Sequence, residues 1–189
     1  MNQPDLLERL SNGDTTVFSE IVVHSQELVY NTVLAIVQNE EDAEDVTQEV
    51  FIKVYESIGG FRKEAALSTW IYRIAVTKAL DFLKTKQRQK NGGLLKRIFI
   101  SAKEEEPANF YHPGVALDKK EDAAVLFKAI NQLPEKQKLA FILHKLEALS
   151  NPEIAAVMKI SVAAVESLQS RAKANLRDIL KEYYQLHFK

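Results

Sequence analysis

Residues 42–55 have the sequence DAEDVTQEVFIKVY, and this stretch decides the fold of the first half of the chain. Apolar residues recur along it at spacings of three and four: Ala43, Val46, Val50 and Val54. This spacing predicts a helix with one stripe packed against a core. The other faces carry Asp45, Gln48, Glu49, Ile52 and Glu56. Acids with an apolar residue among them suit docking onto a basic protein surface, but an ordinary charged surface helix has the same pattern.

The composition of the 189-residue chain is that of a helix-rich globular protein, with 46% hydrophobic residues, 6 Gly and 5 Pro. There is no Cys, which excludes disulfides, thiolate zinc sites and cysteine nucleophiles. The opening residues, MNQPDLLERL, lack the basic and apolar segments of a signal peptide. No apolar run approaches the roughly 20 residues of a membrane span. We therefore expect a soluble, cytoplasmic protein without membrane insertion.

The charge is distributed unevenly along the chain, although the net charge is −1. Residues 1–83 contain 6 basic and 14 acidic side chains, whereas residues 84–97 contain six bases and no acid. A protein that binds DNA by itself usually carries a strong basic surface over its whole fold. We therefore expect weak DNA binding by the isolated chain.

The first 90 residues are predicted to form several helices. The apolar spacing predicts a short helical turn at 5–10 and a long helix over 15–38. Asn39 can cap the acidic helix that follows, and Gly59 and Gly60 break it. Ser68 can cap the next helix.

The segment around this next helix has features of a single-strand binding surface. A loop over 59–67 contains an aromatic residue and two bases: Phe61, Arg62 and Lys63. The helix carries Trp70 and a polar face with Arg73, Thr77, Asp81 and Lys84. Aromatic rings stack on unpaired bases and cations follow the phosphates. The alternative is that Phe61 and Trp70 belong to the core and Arg73 is a surface base.

The periodicity fails over 91–120, where Gly, Pro and a run of Glu predict a flexible linker. Beyond it, Leu133-Pro134 precedes a helix, with Pro at the first helical position. Ser150 and Glu153 form a capping box that starts a short helix. The sequence thus predicts an all-α protein of two small helical domains, 1–90 and 121–189, joined by a linker.

The last two predicted helices are joined by a turn at 159–161, which fits a helix-turn-helix. Val165, Leu168, Ala172 and Leu176 are spaced to face inward in the second of them. The residues free to face a DNA groove are Ser161, Ala163, Ala164, Glu166, Ser167, Ser170, Arg171 and Lys173. A plain αα-hairpin has the same pattern.

The sequence predicts neither an enzyme nor a metal site or cofactor. None of the four His residues has the Glu-x-x-His spacing of carboxylate-bridged metal sites. The chain contains no GxxxxGK[ST], HExxH or GxSxG motif. We interpret His24 and His144 as surface or core residues rather than ligands.

The order of these segments resembles that of bacterial sigma factors of the extracytoplasmic-function group. The specific matches are DAEDVTQEVF at 42–51, Phe61-Arg62, STWIYRIA at 68–75, Leu133-Pro134, EIA at 153–155 and SRA at 170–172. The resemblance covers nearly the whole chain. The helix-turn-helix alone would also suit a response-regulator output domain.

The resemblance implies a role for each part of the chain. Asp45, Gln48, Glu49 and Ile52 would bind the β′ clamp helices of core RNA polymerase. The residues that would melt and bind the −10 element are Phe61, Arg62, Trp70, Arg73, Thr77 and Lys78. Residues 161–173 would bind the −35 element, and the domain 121–189 would contact the β flap. The resemblance also implies an anti-sigma partner and a monomer when free.

Two residues depart from the family pattern. Thr77 stands where the family usually has Asn, and Glu166 replaces a Lys in the predicted recognition helix. Glu near base edges favours cytosine N4 and repels phosphate, so we expect an altered −35 preference. Two other classes of protein remain open: a helix-turn-helix regulator that acts without polymerase, and a helical adaptor that binds only protein.

Overall fold

The computed structural model of the protein describes residues 16–61, 65–92 and 120–187, together with Arg9 and Asp14. Within these residues it contains seven α-helices and no strand. They are α1 (Thr16–Val37), α2 (Glu40–Ser57), α3 (Leu67–Gly92), α4 (Lys120–Asn131), α5 (Glu135–Lys145), α6 (Asn151–Met158) and α7 (Val162–His187). The predicted all-α fold class is confirmed. Two predicted segments lie outside the described residues: the turn at 5–10, apart from Arg9, and residues 93–119 of the linker.

The acidic helix α2 begins and packs as its sequence predicts. The Asn39 side chain accepts a hydrogen bond from the Asp42 amide at 2.8 Å, which satisfies a backbone N–H left unpaired at the helix start. Three acids lie in the first turn, where the helix dipole favours negative charge. The apolar stripe is buried, with Val50 and Val54 fully enclosed. A 3₁₀ turn, Ile58–Gly60, follows the helix.

Helices α1, α2 and α3 pack against one another and form the first bundle. Helix α3 begins at Leu67, where the Trp70 amide donates to the Ala66 carbonyl at 3.1 Å. Ser68 therefore lies inside the helix, and its predicted role as the cap is wrong. Helix α3 also continues to Gly92, two residues into the segment where the sequence predicts the linker.

Helices α4 to α7 form the second bundle, in which α7 packs on α4, α5 and α6. Pro134 is the N-cap of α5, which begins at Glu135, so the prediction that Pro134 is the first helical residue is wrong by one position. The predicted capping box is present, because the Ser150 amide donates to Glu153 Oε2 at 2.8 Å. Lys159 has a left-handed backbone, with φ of 55°, and it closes α6 before the turn into α7. Helices α6 and α7 thus form the predicted helix-turn-helix.

The two bundles are in direct contact. Helix α3 packs on α6, and α1 packs on α5. We call this contact the seam. Nowhere in the described ranges is a helix long and apolar enough to cross a membrane.

Candidate functional site

The four residues predicted to bind polymerase are brought together by α2. Asp45, Gln48 and Glu49 are exposed, and Ile52 is 59% exposed. Because they are three, four and seven residues apart, they share one face, opposite the buried stripe. We call this surface the α2 face.

The structure adds Tyr55 to the α2 face. Its side chain is 64% exposed, and its ring meets Phe18 edge-on, with 5.0 Å between the centroids. The face therefore combines carboxylates with two large exposed apolar groups. Exposed apolar residues among charges are typical of protein interfaces. The sequence feature that could have assigned Tyr55 to this face is its position three residues after Ile52.

The aromatic residues at the start of α3 are half-buried rather than free. Phe61 and Trp70 pack together, with ring centroids 5.3 Å apart and planes at 53°. Both also pack against the hydrophobic core. Part of each ring is therefore in the core, as the alternative predicts, and the rest of each ring remains accessible. Arg62 lies outside the described residues.

The polar face of α3 borders a groove between α2 and α3 of about 630 Å³, lined in part by Arg73, Thr77 and Lys78. Thr77 is exposed, and its hydroxyl donates to the Arg73 carbonyl at 2.7 Å. Lys78 Nζ lies 3.0 Å from Glu49 Oε2. This ion pair joins the α2 face directly to the predicted −10 surface.

Arg73 makes a contact that the sequence does not predict. Its Nη2 donates to the carbonyl oxygen of Ala156, in α6 of the second bundle, at 2.7 Å. Its Nε is buried, and no acceptor lies within reach of it among the described residues. The guanidinium therefore lies at the seam, bonded there to an uncharged acceptor.

The predicted −35 residues lie along the start of α7. Ser161 caps the helix, because its Oγ accepts a hydrogen bond from the Ala164 amide at 3.2 Å. Ala164 and Ser167 are half-buried, and the exposed members of the set are Ser161, Ala163, Glu166, Ser170, Arg171 and Lys173. Arg171 Nη2 donates to Ser167 Oγ at 2.6 Å. The inward positions Val165 and Ala172 are fully buried.

A polar contact between α6 and α7 was missed by sequence reasoning. Gln169 is buried, and its Nε2 donates to Asn151 Oδ1 at 2.9 Å. Asn151 Nδ2 lies 3.5 Å from Glu166 Oε1. Asn151 therefore lies between the buried side-chain amide of Gln169 and the exposed carboxylate of Glu166. No sequence motif marks this pairing, because it joins residues 15 and 18 positions apart.

The histidines and carboxylates do not assemble into a metal site in the part of the chain that the structure describes. His24 is exposed, with Nδ1 2.8 Å from the Glu20 carbonyl oxygen of its own helix. His144 is half-buried, with Nδ1 3.3 Å from the Leu149 carbonyl oxygen. The pKa of Glu153 is lowered by the hydrogen bonds it accepts from Ser150, which is a capping interaction.

Comparison with known families gives two matches in chain order. Residues 21–89 match Sigma-70 region 2, and residues 124–176 match Sigma-70 region 4. The first match contains α2, the groove and α3 up to residue 89. The second contains α6 and α7 up to residue 176.

Similar proteins of known function are sigma factors. The chain is 33% identical over 178 residues to RNA polymerase sigma-H factor of Pseudomonas aeruginosa, covering 89% of this chain and 88% of that one. It is 34% identical over 182 residues to ECF RNA polymerase sigma-E factor of Escherichia coli, with the same two coverages.

Solved structures share the fold. One is the sigma factor RpoE in complex with the anti-sigma factor NepR from Bartonella quintana, with a TM-score of 0.68, 21% identity, and 87% of this chain and 96% of that chain covered. Another is CnrH in complex with the cytosolic domain of CnrY, with a TM-score of 0.66, 20% identity, and coverages of 94% and 96%. The two family matches together cover both helical bundles, and the identity to sigma factors extends over most of the chain. The chain belongs to the sigma-70 family, in its extracytoplasmic-function group, and is a sigma factor that directs RNA polymerase to promoters for transcription initiation.

Proposed function

We propose that this sigma factor docks on the β′ clamp helices of core RNA polymerase through the α2 face. The observation that carries the proposal is the exposed Ile52 on the same helix face as the exposed carboxylates of Asp45 and Glu49. An apolar centre within a charged rim provides both affinity and orientation. Gln48 adds a side chain that both donates and accepts hydrogen bonds.

We propose further that the groove between α2 and α3 holds the melted −10 strand. Phe61 and Trp70 would offer ring surface for an unstacked base, and Arg62, Arg73 and Lys78 would follow the phosphates. Thr77 would lie along the strand. The Lys78–Glu49 ion pair supports a direct coupling, because a change at the docked α2 face would reach a −10 residue through a single contact.

The start of α7 is proposed to enter the major groove at the −35 element. The exposed Ala163 has a side chain small enough for close approach to bases, and Arg171 and Lys173 would contact phosphate. Glu166 would accept from cytosine N4. The second bundle would also contact the β flap.

The remaining roles follow from the family. Residues 1–90, 91–120 and 121–189 would be region 2, linker and region 4. The protein would act in the cytoplasm, as a monomer when free, with no catalytic residue or cofactor of its own. An anti-sigma partner is proposed because the sigma factor RpoE, which has a similar fold, was solved in complex with the anti-sigma factor NepR.

The test is retention of the chain on immobilised core RNA polymerase. We expect Asp45→Lys with Glu49→Lys to abolish retention, and the uncharged change Ile52→Ala to weaken it. The control is Glu27→Lys with Glu40→Lys, which makes the same charge change at exposed positions off the α2 face. Equal retention of the test and control doubles would refute the dock. Duplex DNA binding by a chain that core does not retain would favour the polymerase-independent regulator.

A further inference from the structure

A cleft of about 380 Å³ lies at the seam, with walls from α1, α3 and α5. We call it the seam cleft. We propose that it binds a small amphipathic carboxylate, such as a medium-chain fatty acid, with Lys138 holding the carboxylate and the apolar wall holding the chain. The described residues that line the cleft are separate from those assigned above to polymerase or DNA, so the proposal is independent of those roles.

The size and the apolar wall of the seam cleft fit a small molecule. Small-molecule sites are concave, occupy about 300–1,000 Å³, and are mostly apolar with a few polar groups that fix orientation. The apolar chain of a ligand gains free energy when it leaves water for such a surface. The apolar residues of the wall are half-buried Leu80 and Leu83 and buried Ile36, Leu133, Leu139 and Ile142.

Lys138 supplies a cation to the same cleft. Its Nζ donates to the Ile36 carbonyl at 3.1 Å and to Asn131 Oδ1 at 2.6 Å, which uses two of the three donors of an ammonium group. Both acceptors are uncharged. Burial lowers the pKa of Lys138 to about 8, and Glu135 offsets only part of this effect. Because a buried charge is stabilised by a charged partner, the remaining donor favours a carboxylate.

The other charged residues of the seam cleft leave room for one negative charge. Lys84 is exposed, and its ion-pair partner Asp81 lies 3.9 Å away on the same helix. Glu135 is the one acid among the described residues that line the cleft. Two lysines and one glutamate give the lining a formal charge of +1. A monoanion balances this charge, whereas a dianion such as a phosphate monoester would exceed it.

Ligand binding should be coupled to the contact between the two bundles, because the cleft takes its walls from both. Ile36 and Leu83 belong to the first bundle, and Leu139 and Lys138 belong to the second. A ligand that binds the assembled cleft and not the unfolded chain stabilises the folded chain by mass action. Saturating ligand should therefore raise the melting temperature of the protein.

The first measurement is isothermal titration calorimetry of the full chain with sodium octanoate at pH 7. We expect saturable binding with a dissociation constant of roughly 0.1–1 mM, which is ordinary for a ligand of about ten non-hydrogen atoms. Octylammonium chloride has the same apolar chain and the opposite charge, and it should bind at least about tenfold more weakly. Absence of saturable octanoate binding, or equal affinity for the two compounds, would overturn the proposal.

Two pairs of variants assign the binding to this cleft. Lys138→Met removes the cation and should weaken octanoate binding by about tenfold or more, whereas Lys136→Met, an exposed change on the same helix, should bind as wild type does. Leu83→Trp fills the cleft while Lys138 stays in place, and it should abolish binding. Its control is Val23→Trp at an exposed site of α1.

Circular dichroism establishes that each variant is folded, and the Lys138 and Lys136 pair decides the proposal by itself if Leu83→Trp does not fold. Equal octanoate affinity in Lys138→Met and Lys136→Met would overturn the proposal. Thermal unfolding is the second measurement. Saturating octanoate should raise the melting temperature of wild type and of Lys136→Met, and it should have little effect on Lys138→Met. An unchanged melting temperature in wild type would contradict binding to the folded cleft.

Discussion

Lys138 provides a test of the seam that depends on pH. Its ammonium group lies between the bundles and donates to the Ile36 carbonyl and to Asn131 Oδ1, the latter at 2.6 Å. Burial lowers its pKa from 10.5 to about 8, and Glu135 offsets part of this effect. A shift of this size corresponds to roughly 3 kcal/mol of penalty on the charged form. At neutral pH, where Lys138 is charged, the folded chain bears this penalty.

The perturbation is Lys138→Met, which keeps the length of the side chain and removes the charge. The two lost hydrogen bonds cost about 0.5–1.5 kcal/mol each, so the variant should be more stable than wild type at pH 7 by roughly 1 kcal/mol. The pKa of Lys138 is lower in the folded chain than in the unfolded chain. The unfolded chain therefore binds more protons between pH 8 and 10.5. Wild-type stability therefore gains relative to the variant as pH rises through this window. Above it, wild type should be the more stable of the two.

The assay is urea unfolding at pH 7 and at pH 10, followed by far-ultraviolet circular dichroism and by fluorescence of Trp70, the only Trp. Circular dichroism reports both bundles and Trp70 reports the first, so coincident transitions would show that they unfold together. Lys136→Met is the control, because Lys136 is exposed on the same helix. A stability difference between Lys138→Met and wild type that is the same at both pH values would refute the reasoning.

Three further predictions concern single contacts. Ser150→Ala removes the capping box with Glu153 and should lower the free energy of unfolding by about 1 kcal/mol in urea titrations, whereas Ser170→Ala, an exposed change within α7, should have little effect. Phe61→Leu removes the ring that packs on Trp70, so it should cost about 0.5–1.5 kcal/mol and shift Trp fluorescence; an unchanged spectrum would contradict the contact. Glu166→Lys should strengthen binding of all duplexes by holoenzyme and alter −35 preference, measured by selection from a randomised −35 library; an unchanged preference would exclude Glu166 from base contacts.

The sequence predicts those parts of the structure that depend on neighbouring residues. The cap at Asn39, the capping box at Ser150 and the buried stripe of α2 each follow from spacings of three or four residues, and each is confirmed. Ser68 shows the limit of such reasoning. A Ser before an apolar run is compatible with a cap, but α3 begins at Leu67, two residues before the start that a Ser68 cap predicts, and Leu67 is buried.

The seam could not be predicted in the same way. Arg73 and Ala156 are 83 positions apart, and the acceptor is a backbone carbonyl, which no side-chain pattern marks. Tyr72 and Glu147 are 75 positions apart, and each has an ordinary local role, in a helix and in a turn. Periodicity correctly assigns Arg73 to a polar face of its helix. Periodicity does not predict which part of the chain that face contacts.

The balance of forces at the seam shows how little its polar contacts contribute to the packing of the two bundles. Four hydrogen bonds cross it: Arg73 to Ala156, Tyr72 to Glu147, Asn131 to Gln38 and Lys138 to Ile36. They contribute about 0.5–1.5 kcal/mol each, or roughly 2–6 kcal/mol together. Burial of Lys138 and Glu147 opposes this, since it penalises both charged forms. The net contribution of the polar contacts is then only a few kcal/mol, so apolar packing must supply the rest of the stability of the seam.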